Sequence, residues 1–96
     1  MPGNTSILIV EDEKPIARFI QMELEHEGYD CGIEYNGAAA LDRICQERFD
    51  LILLDIMLPD IDGLSICKRT RELSNVPIMM LSARDDIETK VYSLDS

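Results

Sequence analysis

Basic residues are scarce in this chain, which has nine lysines and arginines against 19 acidic residues and a formal net charge of −10. The basic residues form no cluster. Direct binding of nucleic acid or of an anionic membrane by these 96 residues is therefore not expected. An acidic surface of this kind instead suits a cation or a basic partner surface.

Long apolar runs, secretory signals and metal-type cysteine spacing are absent as well. The longest apolar stretches are interrupted by Asp55 or other charged residues and fall short of a membrane span. The first residues have no basic region before the apolar run and no cleavage pattern, so we predict no secretory signal. Cys31, Cys45 and Cys67 are odd in number and widely spaced, which favours buried, reduced thiols in a cytosolic protein.

Hydrophobic patterning alternates along the chain between strand-like and helix-like segments. Strands are predicted at Ser6–Val10, 29–35, 51–54 and 77–81. Helices are predicted from Pro15 to Gly28, after Asn36 and Gly37, over Gly63–Leu73 and over 87–94. This β-α-β-α-β-α-β-α order predicts one domain over residues 1–96, with a doubly wound parallel sheet and helices on both faces.

Carboxylates follow two of the predicted strands. Glu11 and Asp12 come after the first strand, and Asp55 ends the aliphatic run of the third. Ligands of open α/β sheets bind beyond the carboxyl ends of the strands, where strand order reverses. If these strands are neighbours, three like charges share one crevice and require protonation or a cation. Mg²⁺ prefers such oxygen ligands, and Asp55 could then attack phosphorus to form an aspartyl phosphate.

The acidic residues after the first predicted strand could instead have a purely structural role. Glu11, Asp12 and Glu13, taken alone, fit the acidic cluster that often precedes a helix. Asp55 has no comparable capping role, because aliphatic residues surround it in the sequence. The acidic residues after the first strand and Asp55 at the end of the third occur together, and this combination favours a functional site.

Two other metal-dependent functions do not fit the pattern. A calcium-binding loop at PDIDG would place Leu58 and Arg69 at its first and twelfth positions, where ligands are required. A magnesium-dependent phosphatase with an aspartate nucleophile would usually have a second aspartate where Met57 stands. We therefore do not expect an enzyme with sustained turnover of a phosphate ester.

Three linked motifs, ILIVEDE, LILLDIMLPDIDG and PIMMLSA, resemble the receiver domain of bacterial two-component response regulators. The resemblance covers nearly the whole chain from Ser6 onward. It implies a flavodoxin-like sheet of order 2-1-3-4 and Mg²⁺-dependent transfer of a phosphoryl group from a sensor histidine kinase. By position it implies that Glu11 and Asp12 hold the metal, Asp55 accepts the phosphoryl group, the Met57 backbone carbonyl completes the metal shell, and Ser82 senses the phosphoryl group.

The loop after Asp55 also matches the family. Pro59 and Gly63 match the turn that follows the phosphoacceptor, where Pro fixes the loop and Gly lets the backbone bend tightly. Asp60 and Asp62 are expected to be solvated residues of the turn and the helix start, with a structural role.

The family pattern continues with a fifth strand, a lysine at its end and a fifth helix, which this sequence does not include. Lys90 falls on the predicted fourth helix and does not replace that lysine. We therefore expect a receiver domain incomplete at its carboxyl end, with the fourth strand as an exposed edge. This predicts a homodimer or element-swapped oligomer and weakened phosphorylation.

Two hypotheses about function follow. The first is a phosphorylation switch at Asp55 that controls an effector domain outside these residues, with transcription regulation through a DNA-binding effector, which the resemblance of residues 81–95 to the family suggests is a winged-helix domain. The second is a signalling-incompetent receiver that acts only as a dimerisation or interaction module.

Overall fold

Parallel strands form most of the sheet in the computed structural model, which describes residues 5–56, 58–81 and 89–92. The strands are β1 (Ser6–Val10), β2 (Asp30–Glu34), β3 (Leu51–Asp55), β4 (Ile78–Leu81) and β5 (Thr89–Tyr92). The helices are α1 (Lys14–His26), α2 (Gly37–Gln46) and α3 (Gly63–Leu73). The strand order is β2-β1-β3-β4-β5, and only β5 runs antiparallel to its neighbour.

The predicted flavodoxin-like order 2-1-3-4 is therefore confirmed for the four parallel strands. The helix predicted over residues 87–94 is wrong at Thr89–Tyr92, which forms β5, and the rest of that segment lies outside the described residues. In the register of this pair, Met79 lies opposite Val91 and Met80 lies opposite Lys90. The predicted exposed edge at β4 is wrong for the same reason, because β5 pairs with it along all four of its residues. The predicted dimer or swapped oligomer stays a prediction, now without that edge as its basis.

Two apolar clusters cover the two faces of the sheet. Leu8, Ile52 and Leu54 pack with buried residues of α2 and α3, whereas Ile7, Ile9 and Leu53 pack with residues of α1. Successive residues of β1 and β3 thus point alternately to opposite helical layers, which explains why both strands are apolar at every position. These two central strands, covered on both faces, carry the residues of the site at their carboxyl ends.

Local sequence signals set the helix boundaries. Pro15 lies in the first turn of α1, and Gly28 follows that helix with φ of 98°, a conformation that glycine adopts without strain. The Asn36 side chain accepts a hydrogen bond from the Ala39 N–H at 2.8 Å, which caps α2. Asp62 caps α3 in the same way, accepting from the Ser65 N–H at 2.9 Å. Within the described residues, no helix has the length and apolar character needed to cross a bilayer.

Candidate metal and phosphoacceptor site

Neighbouring parallel strands bring the predicted acidic residues together. Val10 lies opposite Leu54 in the register of β1 and β3, so Glu11 and Asp55 emerge side by side at the carboxyl edge of the sheet. Glu11, Asp12 and Asp55 each offer a carboxylate oxygen, and these oxygens all lie within 4.8 Å of one another. The convergence expected from the sequence is thus present in the fold.

Glu11 is the most constrained member of this acidic cluster, because its side chain is only 1% exposed. Its Oε2 accepts a hydrogen bond from the Glu13 N–H at 3.1 Å, while its buried Oε1 has no hydrogen-bond partner among residues 5–56, 58–81 and 89–92. The pKa of Glu11 is raised from an ordinary 4.5 to about 7, mainly by burial and also by the neighbouring charges of Asp55, Asp12 and Glu13. The Glu13 N–H opposes this rise. The free oxygen of a buried carboxylate is suited to a cation.

The capping explanation for the acidic residues accounts for only part of this geometry. Glu13 is the residue at the start of α1, and its own side chain makes no capping hydrogen bond. One oxygen of Glu11 does accept an N–H at this helix start, but the other does not. A purely structural role leaves that second oxygen unexplained.

Asp55 is the last residue of β3 and is 3% exposed. Its backbone lies opposite Leu81 of β4, and the next residue, Ile56, donates its N–H to the Leu81 carbonyl at 3.2 Å. Asp12 is more accessible than either Glu11 or Asp55. The cluster therefore has two carboxylates fixed on buried strand ends and one on the solvent side.

These carboxylates fit a hard divalent cation. The donor set consists of oxygens from three acidic residues, and Glu11 among them has one buried oxygen without a hydrogen-bond partner in the described part of the chain. Mg²⁺ binds such sets while retaining water ligands, and the accessible side at Asp12 leaves room for water. Binding a cation would also offset the mutual repulsion that the acidic cluster creates.

The loop after Asp55 returns close to the strand at Gly63. The Gly63 N–H donates to the Ile56 carbonyl at 3.2 Å. A Cβ at Gly63 would lie 2.9 Å from Met80 Cε, 3.0 Å from Ile56 Cα and 3.2 Å from the Asp55 carbonyl oxygen. Glycine is therefore required here by close approach. The predicted tight bend is not the reason, because Gly28 alone has a positive φ among the described glycines.

Asp60 and Asp62 have separate structural roles in this loop. Asp62 caps α3, as the sequence predicts for a helix-start residue. Asp60 instead binds α2, accepting from the N–H groups of Gly37 at 2.8 Å and Ala38 at 2.9 Å. Sequence reasoning missed this contact, which joins residues 23 and 22 positions apart and has no local signal.

Met57 and Ser82 lie outside the described residues. The roles that the sequence assigns to the Met57 carbonyl and the Ser82 hydroxyl therefore stay predictions. The described part of the site consists of Glu11, Asp12, Asp55 and the loop segments on either side of Met57.

A parallel α/β sheet with three carboxylates at the carboxyl ends of its first and third strands defines the class of phosphoacceptor domains used in two-component signalling. The family model for the response regulator receiver domain matches residues 7–96. The chain belongs to this family. Its members accept a phosphoryl group in two-component signalling and bind Mg²⁺ at an acidic pocket.

Curated relatives include the response regulator ArlR of Staphylococcus saprophyticus, 52% identical over 91 residues, and that of Staphylococcus aureus, 47% identical over 91 residues. These alignments cover 95% of this chain but only 41% and 42% of the two relatives. The chain thus spans less than half the length of these proteins.

Solved structures show the same fold. The response regulator TrrA from Thermotoga maritima, determined in complex with Mg²⁺ and BeF, is 34% identical with a TM-score of 0.80, covering 84% of this chain and 71% of that one. The receiver domain of the Francisella response regulator 1452 is 36% identical with a TM-score of 0.78, covering 86% and 69%.

Proposed function

We propose that Asp55 is the phosphoacceptor of this receiver domain and that Glu11, Asp12 and Asp55 hold the Mg²⁺ ion on which the reaction depends. The observation that carries the proposal is that Glu11, Asp12 and Asp55 each offer a carboxylate oxygen within 4.8 Å of the others, while the buried Oε1 of Glu11 has no hydrogen-bond partner among the described residues. A bound cation would offset the mutual repulsion of three such groups.

Each residue has a distinct part in the reaction. An ionised oxygen of Asp55 attacks phosphorus, the phosphorus–nitrogen bond of the donor phosphohistidine breaks, and its electron pair remains on the imidazole that leaves. Rigid placement of Asp55 at the end of a buried strand reduces the orientational freedom lost in the transition state. A bound Mg²⁺ ion supplies charge neutralisation for the carboxylates and the phosphoryl oxygens.

The remaining roles rest on the resemblance to the family. The Met57 backbone carbonyl completes the metal shell, and the Ser82 hydroxyl hydrogen-bonds the phosphoryl group. A contact formed only in the phosphorylated state shifts the balance between two conformations, which is how the switch would operate.

The partners proposed for the protein are a sensor histidine kinase, as the phosphoryl donor in the cytoplasm, and an effector domain. The relatives named ArlR are more than twice as long as the matched region, which leaves room in them for such a domain. We propose transcription regulation through DNA binding by the effector. The acidic receiver, with a net charge of −10, would not itself contact DNA.

Intact-mass spectrometry after incubation with phosphoramidate and Mg²⁺ tests the proposal. One phosphoryl group should be added to the wild type, and none to Asp55→Ala or to the wild type with a chelator. Asp50→Ala is the matched control. Asp50 precedes the other end of β3 and accepts the Ser6 N–H at 2.8 Å, far from the acidic cluster along the strand.

An adduct on Asp55→Ala would overturn the assignment of the phosphoacceptor. A folded wild type with no adduct, under conditions that phosphorylate another receiver domain, would favour the interaction-module hypothesis. If Asp50→Ala keeps its fold but gains no adduct, the reaction does not depend specifically on the residues at the carboxyl edge of the sheet.

A further inference from the structure

We propose that Asp60 is a positioning residue for the Asp55 site, acting through the loop that joins β3 to α3. Its carboxylate fastens this loop to the start of α2 and so fixes the acidic cluster in a geometry that binds Mg²⁺. This inference rests on the proposed function, since it concerns the same site.

The contacts of Asp60 form a bridge between two separate segments. Oδ1 accepts from the Gly37 N–H at 2.8 Å and from the Ile61 N–H at 2.9 Å, and Oδ2 accepts from the Ala38 N–H at 2.9 Å. The first residue of α2 and the loop residue Ile61 thus share one oxygen. Charge-assisted hydrogen bonds of this kind are stronger than those between neutral groups. The N–H groups of Gly37 and Ala38 accordingly lower the pKa of Asp60.

No other described side chain makes these contacts with α2. The Ala39 N–H is bound by the Asn36 side chain at 2.8 Å, and the Ala40 N–H is bound by the Asn36 carbonyl at 3.1 Å. Asp60 supplies the acceptors for the two preceding N–H groups, which a helix cannot satisfy internally. The start of α2 is therefore capped by two residues with separable roles, one local and one from the loop.

Gly37 permits the close approach on which this bridge depends. A Cβ at Gly37 would lie 2.8 Å from Ile66 Cδ1, 2.9 Å from Ile61 Cβ and 3.3 Å from Asp60 Oδ1. Such distances leave no room for a side chain. The packing between Gly37 and Ile61 and the hydrogen bonds of Asp60 thus independently place the loop against α2.

The same bridge connects the backbones that bear the two buried carboxylates. The Glu11 N–H donates to the carbonyl of Glu34, the last residue of β2, at 3.1 Å. α2 begins at Gly37, shortly after Glu34, and Asp60 ties its first turn to the loop that leaves Asp55. Glu11 and Asp55 are therefore connected in two ways. One is the pairing of β1 with β3, and the other is the series of contacts from Glu34 through the start of α2 to Asp60. Loss of the contacts made by Asp60 would let the metal ligands move apart and would weaken cation binding.

Asp60→Ala should weaken Mg²⁺ binding by about tenfold, the lower end of the effect expected from groups that orient metal ligands. Isothermal titration of the whole chain with MgCl₂ measures this dissociation constant directly, without phosphorylation. The rate of adduct formation with phosphoramidate at a fixed low Mg²⁺ concentration should fall in parallel. Asp60→Asn keeps one carbonyl oxygen and should recover part of the affinity.

Asn36→Ala is the matched control, because it removes a capping acceptor from the same helix start without touching the loop. It should lower thermal stability while leaving the Mg²⁺ dissociation constant within about twofold of wild type, an allowance for the small loss of helix order. Thermal unfolding confirms that both variants are folded at the titration temperature.

The outcomes separate this inference from the proposed function. Weaker Mg²⁺ binding in Asp60→Ala alone, with partial recovery in Asp60→Asn, supports the positioning role. Equal weakening in Asp60→Ala and Asn36→Ala, or no change in either, overturns it and leaves the proposed function intact. A folded wild type that binds no Mg²⁺ overturns both.

Discussion

Glu11 and Asp55 end up side by side because the strands that precede them are neighbours and parallel, with Val10 opposite Leu54. Both side chains are almost wholly buried, at 1% and 3% exposure, and their oxygens belong to a cluster within 4.8 Å. Two carboxylates in this position oppose folding when both are charged. Ionisation of Glu11 therefore opposes folding, and a proton or a bound cation would relieve this opposition, which can be measured.

Ion-free stability should depend on pH through Glu11. Its pKa is 4.5 ordinarily and about 7 in the fold, so the folded state binds more protons between these values. The stabilisation that protonated Glu11 gives the folded state is therefore lost as pH rises from 4.5 to about 7. The complete loss lowers the free energy of unfolding by on the order of 3 kcal/mol. Glu11→Gln should remove the loss, so urea unfolding without Mg²⁺ should find the variant more stable than wild type at about pH 8.

Glu23→Gln is the control for this pH dependence, because Glu23 is exposed on α1. It changes the net charge by the same amount as Glu11→Gln but removes no buried carboxylate. If Glu11→Gln and Glu23→Gln change the dependence of stability on pH equally, then net charge, and not Glu11, causes that dependence.

Gly63 should tolerate no side chain without disturbing the site. Gly63→Ala places a Cβ 3.0 Å from Ile56 Cα and 3.2 Å from the Asp55 carbonyl, so backbone atoms must shift. Overpacking of this kind costs about 1–3 kcal/mol. Thermal unfolding should detect that loss, and phosphorylation of Asp55 should slow, because the displaced atoms include its own carbonyl group.

Gly28→Ala separates lost stability from a displaced site. A Cβ at Gly28 would meet no atom of the described residues within 4 Å, but φ is 98°, so the variant is strained without a clash there. The cost should be about 1–2 kcal/mol, with an unchanged phosphorylation rate in the folded protein. If Gly28→Ala slowed phosphorylation as much as Gly63→Ala, general destabilisation would explain both.

The central strands and the acidic cluster are predictable from sequence because their signals are local and strong. A continuous aliphatic run is stable only when both faces of the strand are covered, which is what the two clusters around Leu8 and Leu53 provide. Parallel pairing then places the residues after β1 and β3 at one edge. The position of Asp55 beside Glu11 follows from topology alone.

The segment Thr89–Tyr92 was not predictable in the same way. Four residues are too few to separate the period of a helix from that of a strand, so apolar spacing over residues 87–94 is ambiguous. Pairing with β4 decides the conformation, because an unpaired apolar edge leaves backbone groups without partners. Tertiary context thus overrides the local pattern at this strand.

Asp60 and Asp62 illustrate the same limit within one loop. Both are aspartates near a helix start, and only the nearer helix has a sequence signal. Asp62 caps α3 three residues away, whereas Asp60 reaches α2 more than twenty residues back in the chain. A long-range hydrogen bond of this kind depends on how α2 and α3 pack together, which the residue types alone do not specify.

Mg²⁺ should stabilise the wild type and have a smaller effect on Asp55→Asn. Without the ion, at about pH 8, the variant should lack the repulsion that the Asp55 charge exerts on Glu11. At a Mg²⁺ concentration a hundredfold above its dissociation constant, the wild type should gain about 2.7 kcal/mol. Thermal unfolding with and without MgCl₂, at matched ionic strength, measures both effects.

Asp50→Asn controls for loss of an aspartate near β3. Its carboxylate binds the Ser6 N–H, so the variant should lose some stability but keep the full Mg²⁺ shift. A Mg²⁺ shift that is the same in wild type and Asp55→Asn would mean that the ion acts elsewhere on the acidic surface.

Leu54→Ala should show how strongly the core anchors the strand that carries Asp55. Leu54 is fully buried among residues of α2 and α3, so truncation leaves a cavity and should cost about 2–5 kcal/mol. Leu51→Ala, at the start of the same strand and partly exposed on the face covered by α1, should cost less than half as much. Urea unfolding gives both values. Equal losses would mean that the layer formed by α2 and α3 does not hold β3 more firmly than α1 does.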